Sequence, residues 1–286
     1  MPHIRRLIIN ADDLGLARSV NRGIAEALAA GNVRSASLMV NMPASSDAAG
    51  QLAPLRARGV AMSIGLHFNI VMGAPLSACS SLRDARTGRF RPLLSQLWRA
   101  WLRRADLREV ETEFEAQLAR AEALLAPLGL RVTHVDSHRH THCLPGIADV
   151  VRATARRHGI AHVRRASEVD ATLLGRPVPR LKSRALRAAL GTPREEAATA
   201  FAGIALMASP TFARDILALL AVLPAGTTEL MVHPGYDSPE LAALDSYRAE
   251  RERELRALTS PELGPAIQAM GISTSYFEAP STTPPG

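Results

Sequence analysis

The chain has 286 residues, enough for one large α/β domain or two small ones with a sizeable core. Aromatic residues make up only 4%, and the formal net charge of +7 is carried almost entirely by arginine, because Lys182 is the only lysine. The arginines alternate with glutamates, as on solvated helix faces. This argues against a nucleic-acid partner, which would need a concentrated basic stripe with interleaved aromatics.

Cysteine usage and hydropathy give no sign of export or of a membrane span. Cys79 and Cys143 form no CxxC pair and no disulfide framework. The apolar run that begins near Leu7 is too short for a signal peptide. No stretch approaches the roughly 20 apolar residues that cross a bilayer. We therefore expect a cytoplasmic protein.

Short apolar runs alternate with helical patterns along the chain. The runs predict strands at 7–11, 36–41, 63–70, 131–136, 161–164 and 228–232, with a later candidate at 271–277. The helical patterns lie at about 19–30, 45–58, 106–128, 147–158 and 211–223, and in the third of these Asp106 is a predicted N-cap and Gly129 ends the helix. This alternation predicts parallel strands covered on both faces.

Two stretches interrupt the alternation and are predicted insertions into a single domain spanning residues 1–278. Residues 71–105 are rich in turn residues and contain Trp98 and Trp101, whereas residues 167–208 are rich in Arg and Ala. We expect 71–105 to cover one face, with both tryptophans near the entrance or a subunit contact; packing of these indoles into the core is the alternative. The tail 279–286 is predicted to be disordered.

Residues 133–142, Thr-His-Val-Asp-Ser-His-Arg-His-Thr-His, contain four of the nine histidines. Side chains two apart on a strand share a face, so His134, Asp136 and His138 converge if this segment is extended. A solvated loop or a purification tag can also be rich in histidine, but a tag would be terminal and uninterrupted. Because imidazole and carboxylate are ligands of zinc, cobalt, nickel or iron, the tract predicts a divalent metal site.

Polar residues also mark the C-terminal ends of the other predicted strands. They are Asp12 and Asp13 after the first strand, His67 late in the third, His138 after the fourth, Arg164 after the fifth and His233 after the last core strand. A parallel β/α barrel places its catalytic residues at this end of its strands. The distribution therefore favours one shared site in such a barrel.

Each of these residues also has a purely structural interpretation. Asp13 could cap the next helix, and His67, alone among apolar residues, could be a core histidine. His233, followed by Pro234, is placed either for proton transfer or as a surface turn residue. Arg164 could be one more solvated arginine.

Four ordered motifs resemble the YdjC-like carbohydrate deacetylases, a family that includes chitooligosaccharide deacetylases and hopanoid-biosynthesis deacetylases. They are Asn-Ala-Asp-Asp-Leu-Gly at 10–15, Gly-Leu-His-Phe at 65–68, the histidine tract at 133–142 and His-Pro-Gly at 233–235. The resemblance runs from residue 7 to about 271, while 167–208 matches nothing we can place. Leu14 stands where the family usually has Phe, and Asp136-Ser137 resembles the chitooligosaccharide type.

The resemblance implies a distorted TIM-like (β/α) barrel that binds one divalent ion, with Mg or Zn expected first and Co or Ni as alternatives. By position, the metal ligands would be Asp13, His67 and His138. Asp12 would be the general base and His233 the general acid in the hydrolysis of an N-acetyl group from an amino sugar, which releases acetate.

The remaining polar residues of the motifs receive supporting roles. His140 and His142 exceed the ligand count and are expected to support the ligands or to contact the substrate. Arg164 would hold Asp12 ionised, as arginine does in related deacetylases. The alternatives are another barrel metallohydrolase, such as a phosphoesterase or an amidohydrolase, and a non-catalytic glycan-binding protein. A homodimer is compatible with the sequence.

Overall fold

The computed structural model describes residues 4–168 and 199–278. Within this part of the chain, eight strands form one sheet in which every neighbouring pair is parallel. The strands are β1 (Arg5–Leu14), β2 (Ser35–Leu38), β3 (Ser63–Phe68), β4 (Val132–Ser137), β5 (His162–Val163), β6 (Thr199–Ala202), β7 (Gly226–Val232) and β8 (Ile272–Thr274). Their order is β5-β4-β3-β2-β1-β7-β6, and β8 pairs with β1.

The sheet curls until its two edges meet. An isolated parallel bridge joins Glu168, just after β5, to Phe201 of β6. Strand β1 pairs with β7 along one edge, while β8 pairs with the first half of its other edge and β2 with the second half. The expected distorted β/α barrel is therefore confirmed.

Helices cover the outside of this barrel. In the described residues they are α1 (Arg18–Ala30), α2 (Ser45–Ala57), α3 (Leu93–Trp101), α4 (Leu107–Leu125), α5 (Ile147–Arg157), α6 (Phe212–Ala221), α7 (Pro239–Ala242), α8 (Ala249–Leu258) and α9 (Leu263–Ala269). Asp106 caps α4 by accepting from the backbone N–H of Arg108, as predicted. Across the described segments, no helix has both the length and the apolar character needed to cross a membrane.

The barrel wall separates an apolar layer from a polar interior. Leu7, Ile9 and Ala11 of β1 belong to the hydrophobic core that the strands share with the helices. The residues that alternate with them, Asn10 and Asp12, are equally buried but join hydrogen bonds inside the barrel. The outward-facing side chains of β1 stabilise the fold by packing against the helices, and its inward-facing side chains can be polar.

One of the two predicted insertions needs correction. The stretch 167–208 is not all insertion, because its end forms β6, a strand of the barrel. Four residues in an Ala-rich segment give too little alternation to reveal a strand. The stretch 71–105 contains α3, which the sequence pattern did not identify. Residues 169–198 and the tail 279–286 lie outside the described residues.

The stretch 71–92 is held against α4 by buried polar side chains. The carboxylate of Glu113 accepts hydrogen bonds from the backbone N–H groups of Leu76 and Ser77. Gln117 donates to the carbonyl oxygen of Asn69 at 2.7 Å and accepts from its backbone N–H at 3.0 Å. This segment therefore starts at the C-terminal end of β3 in a fixed conformation.

Gly65 of β3 provides a test of the packing inside the barrel. A Cβ at this position would lie 2.4 Å from Nε2 of the buried His134. We expect Gly65→Ala to lower the free energy of unfolding by ~1–3 kcal/mol, because the imidazole has no room to move in a packed interior. In contrast, Gly50→Ala should raise it by about 0.5–1 kcal/mol, because Gly50 lies in α2 with no atom near its missing Cβ. Urea unfolding measures both, and an unchanged midpoint for Gly65→Ala would contradict the close approach.

Candidate metal centre

Three residues from three strand ends converge at the C-terminal end of the barrel. Oδ1 of Asp13 lies 2.9 Å from Nδ1 of His138 and 3.2 Å from Nε2 of His67. All three side chains are buried, and one potential ligand atom from each lies within 4.8 Å of the others. The structure thus brings together the three residues that the sequence motifs single out as ligands.

Unpartnered nitrogen atoms at this cluster fit a bound cation. Nε2 of His67 and Nε2 of His138 are buried and have no hydrogen-bond partner among the described residues, since the 3.2 Å approach of His67 to Asp13 is not aligned as a hydrogen bond. A buried polar atom without a partner costs about 1–3 kcal/mol. A carboxylate and two imidazoles form a donor set that accepts divalent metal ions.

His67 is oriented from behind by a carboxylate. Its Nδ1 lies 2.8 Å from Oδ1 of Asp136 and 3.1 Å from Oγ of Ser37. Burial alone would lower the pKa of His67, but the negative charge of Asp136 and the nearby carboxylate of Asp13 raise it to about 10. The cluster therefore stabilises a positive charge at this position, and a metal ion that binds here would displace a proton.

Asp13 adopts an unusual backbone conformation. Its φ of 69° lies in the left-handed region, which is strained for a residue other than glycine. Oδ2 accepts from Nη2 of Arg251 at 2.7 Å, and Arg251 also binds Asp245 at 2.8 Å. Although burial favours the neutral acid, the charges of Arg251 and His138 hold the pKa of Asp13 well below its ordinary value.

The capping interpretation of Asp13 is wrong. Helix α1 begins at Arg18, with Ala17 at the N-cap position and no side-chain cap. The carboxylate points instead to His138, His67 and Arg251.

Asp12 belongs to a second, adjoining network. Its two oxygens accept from Nη1 and Nη2 of Arg164 at 2.6 and 2.7 Å, which is a bidentate pair. Arg164 is 1% exposed and also contacts Asp136 at 2.6 Å and Glu229 at 2.8 Å, so its interpretation as a solvated arginine is wrong. Burial would raise the pKa of Asp12, but the charge of Arg164 outweighs it and keeps the carboxyl ionised.

The two networks touch through His67. One potential ligand atom each from Asp12, His67 and Asp136 also lies within 4.8 Å of the others. The positive charge of Arg164 already occupies this side of the cluster. This positive charge opposes a cation at the Asp12, His67 and Asp136 group.

His233 follows β7 on the neighbouring strand of the sheet. Because Ala11 is the register partner of Val232, His233 lies at the level of Asp12, and its charge contributes to the low pKa of that carboxyl. The backbone N–H of His233 donates to Glu254 at 2.6 Å. The ring is only partly buried and lies 5.5 Å from the ring of Tyr247.

The other histidines of the tract do not join the cluster. His142 is buried, with Nδ1 2.5 Å from Oγ of Ser137 and Nε2 2.8 Å from the carbonyl oxygen of Arg164. His134 is directed to Oδ1 of Asn10 at 3.0 Å, so the predicted convergence holds for Asp136 and His138 but not for this residue. Burial lowers the pKa of both His134 and His142 to about 3, which makes them neutral hydrogen-bonding groups.

His140 differs from its neighbours in the tract. Its φ of 56° places the backbone in the left-handed region, and the side chain is only partly buried by its neighbours. The ring packs 5.8 Å from that of Phe201, and Nδ1 has no hydrogen-bond partner in the described part of the chain. This nitrogen is itself buried, so the exposed part of His140 is the remainder of the residue.

Three charged residues of the two networks were not identified from the sequence. Glu229 lies in the apolar β7 run, where a lone carboxylate is a usable signal of a buried partner. Arg251 and Asp245 lie in or near the charge-rich α8, where nothing distinguishes them from solvated residues. Only the fold shows that Arg251 reaches Asp13.

Comparisons with known proteins show which family the chain belongs to. A family model described as YdjC-like protein matches residues 6–269. A carbohydrate deacetylase of Thermoanaerobacter pseudethanolicus is 30% identical over 265 residues, which are 91% of this chain and 93% of that protein. A chitooligosaccharide deacetylase of Yersinia pestis is 34% identical over 272 residues, 95% of this chain and 97% of that protein.

A solved structure shares the fold over the same length. It is a protein of Enterococcus faecalis provisionally named for cellobiose-phosphate cleavage. Its TM-score is 0.71 at 26% identity, and the match covers 96% of this chain and 97% of that one. The residues of the candidate site, from Asp12 to Arg251, lie within the 6–269 match.

The charge network predicts a specific loss of stability in acid. Burial would raise the pKa of Glu229, but Arg164 and His162 lower it from the ordinary 4.5 to about 2. A carboxyl with a lowered pKa stabilises the fold above pH 4.5 and loses that contribution as the pH falls towards 2. This group should contribute a decrease of about 3 kcal/mol in the free energy of unfolding over that interval.

Glu229→Gln removes the titrating group and should flatten the pH dependence between pH 4.5 and 2. It should also lower stability at neutral pH, because Arg164 loses a buried partner. Urea unfolding at a series of pH values measures this, with Glu262→Gln on the exposed end of α9 as the matched control. Equal slopes for wild type and Glu229→Gln would show that Glu229 is not the group responsible.

Proposed function

Because the chain belongs to the YdjC-like family, we propose that it is a metal-dependent carbohydrate N-deacetylase. The substrate would be an N-acetylated amino sugar, in an oligosaccharide or a glycoconjugate, and the products would be the free amine and acetate. The observation that carries this proposal is the buried Asp13, His67 and His138 cluster at the C-terminal ends of the strands.

The cluster would hold one divalent cation through a carboxylate oxygen of Asp13 and ring nitrogens of His67 and His138. When bound, the cation supplies a Lewis acid that polarises a carbonyl oxygen and acidifies water. Arg251 would fix Asp13 from the opposite side, and Asp136 would fix His67. Mg or Zn is the expected ion, with Co or Ni as alternatives, because this donor set does not discriminate strongly between them.

Asp12 would act as the general base and His233 as the general acid. A water oxygen attacks the acetamide carbonyl carbon while Asp12 accepts a proton from that water. The C–N bond then breaks, and His233 donates a proton to the departing amine nitrogen. The location of the two side chains on adjacent strands, at the same level, supports this division.

Arg164 would keep Asp12 ionised and correctly oriented between substrate molecules. The same pairing makes Asp12 a weak base, so proton transfer to it requires a water that is already acidified. His142 would position the loop after β4 through Ser137 and Arg164. His140, which is partly exposed just after β4, would contact the sugar.

The activity is tested by incubating the protein, loaded with each metal in turn, with a panel of N-acetylated mono- and oligosaccharides. We expect release of acetate from at least one of them in a metal-dependent manner. Release of phosphate from sugar phosphates, without release of acetate, would support a phosphoesterase instead. Binding of sugars with neither product would support a glycan-binding protein.

The ligand assignment is tested by metal content after dialysis. We expect about one ion per chain in the wild type and loss of most of it in His67→Ala, His138→Ala and Asp13→Asn, because each removes one of three protein ligands. His158→Ala, which changes a partly exposed histidine on the protein surface, is the matched control. Wild-type metal content in both His67→Ala and His138→Ala would refute the site.

The acid and base are tested by separating metal content from turnover. Asp12→Asn and His233→Ala should each lower kcat by about 10²–10⁴-fold, the usual contribution of general acid–base catalysis, with metal content near that of the wild type. Asp12→Asn also weakens the pair with Arg164, so its folding should be checked by urea unfolding. Loss of metal in Asp12→Asn together with its retention in Asp13→Asn would exchange the roles of the two aspartates.

A further inference from the structure

Helix α3 presents a row of large apolar side chains to solvent. Leu94, Trp98, Trp101 and Leu102 are 69%, 65%, 52% and 57% exposed. Trp98, Trp101 and Leu102 lie at i+4, i+7 and i+8 from Leu94, which is the pattern of one helix face, with Leu102 at the C-cap position. A group of this kind on a protein surface usually marks an interaction site.

The opposite side of α3 fixes the orientation of this row. Gln96 is buried and donates to the carbonyl oxygens of Ile70 at 2.8 Å and Leu82 at 2.7 Å. Ala100, one turn later, is also buried. The helix therefore cannot turn its apolar row inward without breaking these contacts.

The same segment carries most of the net charge of the chain. Residues 83–104 contain seven arginines and one aspartate, a net charge of +6 out of +7 for the whole chain. The net positive charge is therefore concentrated in this segment and not spread along the chain. Five of the seven are exposed: Arg83, Arg86, Arg89, Arg103 and Arg104.

We propose that this region, termed the α3 surface (Leu94, Trp98, Trp101, Leu102 and the five exposed arginines), docks the protein on an anionic lipid bilayer. Tryptophan and leucine are the side chains that enter the boundary between headgroups and acyl chains. Arginines beside them are attracted by the negative surface potential of anionic lipids. The docking is independent of the proposed deacetylase activity.

Charge argues against a second copy of the chain as the occupant. In a two-fold dimer the same patch lies on both sides of the interface, so the two groups of arginines would face each other. A stable interface also needs roughly 20–30 residues a side, many more than this apolar row supplies. Single-stranded nucleic acid would use the arginines and indoles, but it offers nothing apolar to Leu94 and Leu102.

The two tryptophans make the docking directly observable, because the chain has no others. The full chain is mixed with vesicles of phosphatidylcholine containing phosphatidylglycerol, and with vesicles of phosphatidylcholine alone. We expect co-sedimentation and a blue shift of the tryptophan emission with the anionic vesicles only. Quenching of the emission by brominated lipid should follow, and added salt should weaken the binding.

Variants separate the two components of the surface. Leu94→Ala/Trp98→Ala should abolish the blue shift of Trp101, and Arg103→Glu/Arg104→Glu should weaken vesicle binding by about 30-fold or more, since each basic residue near an anionic surface contributes about a factor of five. The matched control, Arg58→Glu/Arg131→Glu, makes the same charge change at exposed positions before β3 and β4, at the other end of the barrel. It should bind like the wild type.

The outcomes are distinct. Equal weakening by the two charge-reversal variants, or equal binding to neutral and anionic vesicles, would overturn the proposal. A wild-type protein that is a dimer in light scattering, and that Leu94→Ala/Trp98→Ala converts to a monomer, would also overturn it. Tighter binding to an oligonucleotide than to vesicles would do the same. Urea unfolding of every variant excludes misfolding as the cause, and acetate release, measured separately, tests the proposed function without bearing on this one.

Discussion

The guanidinium of Arg164 is the positive charge on which the polar interior of the barrel depends. It is buried against Asp12, Asp136 and Glu229, each at 2.6 to 2.8 Å. Ionising carboxylates in a space closed to water would cost several kcal/mol each without a counter-charge. Its backbone carbonyl oxygen accepts from His142, so the loop after β4 is attached to the same residue. One residue, through its side chain and its backbone carbonyl, thereby links strands β1, β4 and β7 with the histidine tract.

Two arginines give two adjacent aspartates different environments. Both oxygens of Asp12 face Arg164, whereas Asp13 presents only Oδ2 to Arg251 and turns Oδ1 towards His67. Adjacent residues on a regular strand would point to opposite faces. The left-handed backbone at Asp13 ends that alternation and brings both carboxylates to one cavity. Neighbouring positions in the sequence thus provide two different groups. Oδ1 of Asp13 is open to a cation, and the carboxylate of Asp12 beside it is held ionised.

The parts of this arrangement that could be predicted from sequence are the local ones. Apolar runs identify the long strands, and the motifs single out Asp13, His67 and His138, because each lies at or just after the C-terminal end of a recognisable strand. Strand β6 was missed because four residues carry too little pattern. Arg251 could not be predicted, since its partner lies 238 residues away and every position from 250 to 254 in its helix is charged. The concentration of arginines at α3 was visible in the sequence, but its meaning depends on which face of the helix is exposed.

The charged layer at the top of the barrel depends on a neutral layer beneath it. Gly65 leaves the space that the ring of His134 fills, and His134 lies 3.0 Å from Oδ1 of Asn10. Asn10 in turn donates to Oδ1 of Asp12 at 2.8 Å, and through Nδ2 it also approaches Asp136 at 3.4 Å. The absence of a side chain at Gly65 on β3 therefore helps to set the position of the Asp12 carboxylate on β1. Hydrogen bonds join the residues that only fill the barrel to those of the candidate site. Burial alone therefore does not distinguish the two groups. The apolar pattern of β1 conceals this connection, because the residues that alternate with Asn10 and Asp12 face the helices outside.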